Sequence, residues 1–304
     1  MNKQIQKFLE SAEKSILGKQ HETKMALCCF LSHGHLLIED VPGMGKTTFA
    51  KTMAKLLDLT FARIQFTNDL MPSDLIGIQM FDAKEGKFNL IHGPIFHQFI
   101  LADELNRGTP KTQSALLEAM EERQVTLDGD TIELPAPFFV VATQNPRSQI
   151  GTHHLPESQL DRFMMKIKIG YPESQYEKQI ISNDSHTENY QKLSPAINHT
   201  ELNDLYQSVR SVTVSDKLLN YVLALLENSR TNNSFQGLSP RAGKDIVKAA
   251  KAWAFISGRD FVLPDDVQAI LAPVISHRLA PFQNQSYDQD HELSKSLIKM
   301  TKVD

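Results

Sequence analysis

The sequence predicts an α/β protein: a central parallel sheet flanked by helices, followed by a small all-α unit. Three observations predict it. Short apolar runs, His35-Leu36-Leu37-Ile38-Glu39, Phe99-Ile100-Leu101-Ala102 and Phe138-Phe139-Val140-Val141-Ala142, are too short for typical helices and end in polar residues, as buried parallel strands do at their carboxyl edges. The first run passes through a Gly/Pro loop into the helix-forming stretch TTFAKTMAKLLDL, which makes a strand–loop–helix unit. Beyond about residue 200 the apolar residues recur at helical spacing.

Each element follows from local pattern. Ile5, Phe8, Leu9, Ala12 and Ile16 share one helical face, and Gly18 breaks the helix. A second helix spans about Glu22 to Ser32 and stops near Gly34; its apolar stretch carries Cys28 and Cys29, which are expected to be buried and inert. MFDAKEGKFNLIHGP, turning at Glu85-Gly86, and QVTLDGDTIELP, turning at Asp128-Gly129, read as β-hairpins. Residues from about 182 to 200 are polar and irregular, as a linker would be, so the chain divides into an α/β core at 1–190 and a helical unit at 191–304. In the latter, Leu202, Leu205, Tyr206 and Val209 form one stripe, and Leu218, Val222, Leu225 and Leu226 another. Ser239-Pro240 supplies an N-cap and a first-turn proline for a helix that Gly258 ends. Pro264-Asp265-Asp266 opens a last helix expected to end before Pro273, and the polar tail after about Pro281 is expected to fray.

Composition excludes several classes. The 304 residues are 41% hydrophobic and 22% charged, which is too apolar for a disordered chain. Two adjacent cysteines cannot build a disulfide framework or a CxxC metal site. The formal charge of −4 gives no long-range attraction to nucleic acid. No segment reads as a signal peptide or approaches the ~20 apolar residues that span a bilayer, so a cytoplasmic protein is expected. On that expectation the glycosylation-like Asn198-His199-Thr200 is a chance match. His291-Glu292 begins a zinc-protease-like pattern, but Lys295 stands where its second histidine belongs; His153-His154 and His33, His35 lack further ligands at metal spacing.

The chemistry concentrates at Asp40-Val41-Pro42-Gly43-Met44-Gly45-Lys46-Thr47-Thr48, between a strand and a helix. Gly43 and Gly45 let the backbone wrap around an anion, and the following helix adds its positive end. Lys46 can reach β- and γ-phosphates, and the Thr47 hydroxyl can ligate Mg²⁺. The strict phosphate-loop pattern has a glycine where this chain has Asp40. A second acidic site is expected at a neighbouring strand end, and Asp103-Glu104 supplies it: Asp103 for Mg²⁺, Glu104 to polarise an attacking water. Asn145, after the third strand, could orient that water or a γ-phosphate without neutralising Glu104. The run Glu118 to Arg123 reads as the solvated end of a helix.

DVPGMGKTTFAKTMA, LADELNRGTPKTQSALLEAMEERQVT, VVATQNP, LPESQLDRF and GLSPRA, in this order, resemble the signature blocks of MoxR-type AAA+ ATPases over roughly residues 16–275. The resemblance implies an AAA+ core with β-hairpin inserts and a helical lid. It matches Lys46 and Thr47 to Walker A, Asp103 and Glu104 to Walker B, and Asn145 to sensor 1. Arg162 matches an arginine finger that reaches a neighbouring subunit, and Arg241 matches sensor 2. Arg107 is a weaker candidate for reaching across an interface. Ile16, Leu17 and Gly18 sit where such proteins pass the adenine. The hairpins fit inserts that face a ring's centre or a client.

The expected activity is therefore Mg²⁺-dependent ATP hydrolysis by a hexameric ring that remodels or matures protein complexes, including metal-cofactor insertion. The resemblance also implies a partner with a von Willebrand factor A domain and a protein client; membrane insertion and nucleic acid are not expected. Two alternatives use the same loop: a DNA-acting motor of helicase or clamp-loader type, and a small-molecule phosphotransferase.

Overall fold

The computed structural model describes residues 2–84, 86–127, 129–145, 153, 155–182, 193–231, 237–279 and 287–302, with only the backbone of 287–291. Glu85, Asp128, His154 and most of the expected linker (183–192) lie outside the described residues.

Helices α1 (Lys3–Glu13) and α2 (Gln20–Leu31) precede β1 (Leu36–Glu39), which leads into α3 (Lys46–Leu56) and β2 (Phe61–Gln65). A short α4 (Pro72–Ile76) precedes the hairpin β3 (Gly77–Asp82) and β4 (Lys87–His92). Then come β5 (Phe99–Asp103), α5 (Pro110–Glu122), the hairpin β6 (Gln124–Leu127) and β7 (Asp130–Glu133), and β8 (Phe139–Gln144). After α6 (Glu157–Leu160), β9 (Met165–Ile167) and α7 (Ser174–Ser182) the chain is helical: α8 (His199–Ser211), α9 (Asp216–Thr231), α10 (Pro240–Ile256), α11 (Pro264–Ile275) and α12 (Tyr287–Met300). Among the described residues no helix is long and apolar enough to cross a membrane.

The five-stranded sheet has the order β2-β5-β8-β1-β9 and every neighbouring pair is parallel. Side-chain alternation sends Leu36 and Ile38 to one apolar cluster and Leu37 to another across the sheet. Phe99 and Leu101 join the first cluster, Ile100 and Ala102 the second. Both faces of the central strands are thus covered, and their carboxyl ends rise together at one edge. The first cluster runs continuously from α1–α3 into α8–α11, and the buried Cys28 thiol donates to the Ala249 carbonyl of α10 at 3.3 Å. Burial pushes the Cys28 and Cys29 thiols above the usual cysteine range, so both sit protonated in the core.

Local signals set several boundaries. Ser239 accepts from the Ala242 amide at the start of α10, and Gly258 takes φ 85° just past its end. The Asn198 amide oxygen accepts from the Glu201 amide, so this residue of the glycosylation-like triplet is a helix cap. Two expectations fail. Helix α11 runs past Pro273 to Ile275, because Val274 and Ile275 are fully buried and their packing outweighs the lost backbone bond. The tail does not fray after residue 286: α12 packs its buried Leu297 against the neighbouring helices, and Asn228 on α9 donates to Thr301 Oγ1 at 2.8 Å.

Candidate active site

The loop after β1 holds the first half of the site. Gly43 and Gly45 have φ values of 88° and 75°, the left-handed region that favours glycine, and a Cβ on either would meet open space. The space those missing side chains leave is where a phosphate chain fits against the amides and the start of α3. Lys46 is buried and donates to the Asp40 carbonyl at 2.7 Å. Burial lowers its pKa, while the nearby carboxylates of Asp40, Asp103 and Glu104 oppose that shift.

Asp40 explains the departure from the strict pattern. It is buried, its Oδ1 accepts from the Val41 amide at 2.9 Å, and its Oδ2 accepts from the Gly170 amide beyond β9. The side chain staples the entry of the loop to the neighbouring edge of the sheet. Glycine could not do this.

Ser15, Ile16, Leu17 and Lys19 join Gly43, Met44, Gly45, Thr48 and Phe49 in lining a cavity of about 370 Å³. Its remaining wall, Ile169 to Pro172 with Glu177, Ile180 and Ile181 from α7, was not anticipated from the sequence. Ile16 and Leu17, expected to contact an adenine, are thus part of the cavity wall. Gly18, Val41, Pro42, Lys46 and Thr47 are outside the lining; at Gly18 the Tyr176 ring packs where a Cβ would be.

The second half lies at the ends of β5 and β8. Thr143 Oγ1 donates to Asp103 Oδ1 at 2.6 Å and accepts from the Glu104 amide at 2.8 Å. Glu104 takes φ 55° and ψ 46°, a left-handed conformation that a non-glycine residue rarely adopts. This turns the chain sharply out of the strand. The Glu104 carboxylate then receives Asn145 Nδ2 at 3.1 Å, Gln65 Nε2 at 2.9 Å and Arg107 Nη1 at 3.1 Å. Arg107 therefore lies on a carboxylate of its own chain. Asp103 Oδ2 pairs with Arg63 at 2.7 Å. A cationic group is thus already accommodated at the carboxylate expected to serve Mg²⁺. The donor set fits that ion: a threonine hydroxyl at the start of α3 and a carboxylate at a strand end, both hard oxygen donors.

The two remaining arginines stand apart from the cavity lining and come together. Arg162 Nε lies 3.2 Å from Glu121 Oε2, and Arg241 Nη1 lies 2.9 Å from Glu121 Oε1. Glu121, in the run expected to be a solvated helix end, is therefore the shared partner of both. Arg63, Gln65, Thr143 and Glu121 are residues the sequence reading missed. For the first two, the spacing of two on β2 that puts Arg63 and Gln65 on one face was an available signal.

Comparison with known proteins agrees with this fold. The family model for the "ATPase family associated with various cellular activities (AAA)" matches residues 35–165, and that for the "AAA lid domain" matches residues 230–297. The uncharacterised protein YeaC of Bacillus subtilis is 42% identical over 98% of this chain and 94% of its own. Chaperone MoxR1 of Mycobacterium tuberculosis is 37% identical over 90% of this chain and 75% of its own. The crystal structure of a candidate ATPase from Cytophaga hutchinsonii superposes with a TM-score of 0.88 at 36% identity, covering 99% of this chain and 95% of that one. Family models that match core and lid, with relatives of this identity and extent, place the chain in the MoxR family of AAA+ ATPases.

Proposed function

We propose that the chain hydrolyses ATP in an assembly of its own copies and uses the cycle to remodel protein complexes. The observation that carries the catalytic reading is the Glu104 carboxylate, set at the strand end beside Asp103 and bonded by the Asn145 amide at 3.1 Å. The amides of Gly43 to Thr48 and the Lys46 ammonium hold the phosphates. Mg²⁺, held through Thr47 and Asp103, would screen the phosphate charge. Glu104 takes a proton from the attacking water, and Asn145 fixes the direction of that carboxylate. Ile16 and Leu17 pack on the adenine. Arg162 and Arg241 share Glu121 rather than the Asp103–Glu104 pair, and we read both as acting on the nucleotide of a neighbouring copy.

A core of 1–190 and a lid of 191–304 form the working motor, and a hexameric ring satisfies the need for a neighbour. The β3–β4 hairpin supports a protein client: Ile78, Met80, Phe81, Phe88 and Ile91 are exposed on it, with apolar residues on both faces of the ribbon. A relative bearing the name chaperone supports the same direction, and a von Willebrand factor A domain protein in the cytoplasm is the proposed partner, with metal-cofactor insertion one form of the maturation. The test is Glu104→Gln. The variant should bind ATP with wild-type affinity and turn over at least ~100-fold more slowly, the scale of a lost general base. Unchanged turnover would remove Glu104 from the mechanism.

A further inference from the structure

The Asp161–Phe163 turn that carries Arg162 is gripped from the opposite side by the end of α11. Arg278 follows that helix, and its side chain is only 5% exposed. Its Nε lies 2.8 Å from Asp161 Oδ1, and its Nη2 donates to the Asp161 carbonyl at 3.2 Å and the Phe163 carbonyl at 3.1 Å. The same Nη2 reaches Asp245 Oδ2 on α10 at 2.6 Å, and Nη1 donates to the Val274 carbonyl at 3.2 Å. His277 Nε2 adds a bond to the Phe163 carbonyl at 2.8 Å. Burial holds the His277 pKa well below the usual histidine range, so the ring is neutral and donates there.

We propose that Arg278 is a positioning residue for Arg162: its guanidinium binds the residues on both sides of the finger and ties their turn to the helical lid. The proposal rests on the reading of Arg162 as a finger that acts on a neighbouring copy. Asp245 and Val274, on its own side of the junction, take only two of the contacts of its five N–H groups. The planar fork also reaches across to Asp161 and Phe163 and leaves Arg162 between two fixed carbonyls. Asp161 also lies 3.9 Å from Arg241 Nε, so the same grip extends towards the second arginine. Movement of α10 and α11 during a nucleotide cycle would then be felt at the finger offered to the next copy.

The test is subunit mixing with full-length protein. Arg278→Lys keeps the charge and loses the fork; Arg278→Gln loses both. Each is measured for binding of a fluorescent ATP analogue, thermal midpoint and ATPase rate, alone and mixed with Lys46→Ala subunits, whose own site is dead and whose finger is intact. Arg162→Ala is mixed in parallel. The expected result for Arg278→Lys is ATP affinity within twofold of wild type, at least a tenfold loss of turnover alone, and recovery of turnover per Arg278→Lys subunit as the Lys46→Ala share rises. Wild-type turnover in both Arg278 variants would overturn the proposal. So would recovery for Arg162→Ala without recovery for Arg278→Lys, while sparing the finger reading. Recovery for neither would overturn the finger reading and the proposal together. If Arg278→Gln does not fold, the lysine variant decides.

Discussion

A single residue shows how far a motif can depart from its pattern without losing its chemistry. Asp40 occupies the position that the strict phosphate loop gives to glycine, yet its carboxylate binds two backbone amides, Val41 and Gly170, from two sides of the loop. Asp40→Gly restores the pattern, removes the staple and leaves two partly buried amides to find other partners. Each lost bond of this kind costs ~1–3 kcal/mol. Where ATP binding must re-order the loop entry that the staple holds, up to the cost of one such bond passes to affinity, so the restored glycine is expected to weaken ATP binding by roughly tenfold, at 1.4 kcal/mol per factor of ten. Titration of a fluorescent ATP analogue checks this; tighter binding by the glycine variant would show that Asp40 holds nothing that matters to the nucleotide. Glu104 makes the complementary point. Its left-handed backbone could not be read from a strand followed by two acids, yet this turn directs its carboxylate towards Asn145 and Gln65.

Elements cooperate through a few buried polar side chains, and His35 is the clearest. It lies at the entry of β1, donates through Nε2 to the Met120 carbonyl of α5 at 3.1 Å, and accepts through Nδ1 from the Val140 amide of β8 at 3.0 Å. Only a neutral ring can do both. Burial lowers its pKa to about 4, whereas in the unfolded chain histidine titrates near 6.5. Between these values the unfolded state binds the extra proton, so stability is complete above about pH 6.5 and falls as pH drops towards about 4. The His35 contribution to that loss is on the order of 3 kcal/mol. Urea unfolding at pH 7.5 and pH 4.5 should show it, and His35→Gln should shrink the difference between the two pH values. An undiminished difference would assign the loss to other groups. The same scale shows what was legible in the sequence. The three apolar central strands and both hairpins could be read because burial on both faces, or a glycine turn, writes a pattern into a few residues. Strand β2 was missed because FARIQ sits at a sheet edge, where Arg63 and Gln65 replace apolar residues. Strand β9 was missed because it has three residues, with Lys166 in the middle. Pro273 misled because a proline near a helix end yields to buried neighbours, a tertiary effect no local rule contains. In the site, Lys46, Asp103 and Glu104 lie in contiguous motifs, whereas the pairing of Arg162 and Arg241 on Glu121 joins three distant segments and needed the fold.

At the scale of the whole molecule, one copy holds a phosphate loop and an acidic pair but keeps two guanidinium groups on Glu121 rather than on that pair. Glu121 and Arg241 are more than a third exposed. An ion pair in that setting contributes little, typically up to ~1 kcal/mol, so Glu121 is a weak competitor for arginines that could instead meet a phosphate. A finger supplied in trans accelerates phosphoryl transfer by ~10³–10⁵, which far exceeds what release from Glu121 costs. Assembly should therefore switch the site on, with weak hydrolysis by the isolated chain. ATPase rate per subunit is expected to rise with protein concentration across the range where sedimentation shows association, and to level off once association is complete. Arg162→Ala should associate over the same range and stay at the low rate throughout. Glu121→Gln should associate normally and keep the wild-type rate in the assembled form, because its carboxylate serves only the unassembled arginines. A rate per subunit that is independent of concentration, in a chain that sediments as a monomer, would mean that Arg162 and Arg241 act within one copy or not at all. The two arginines would then have to reach the phosphate loop by a movement of α10 and α11 inside a single chain.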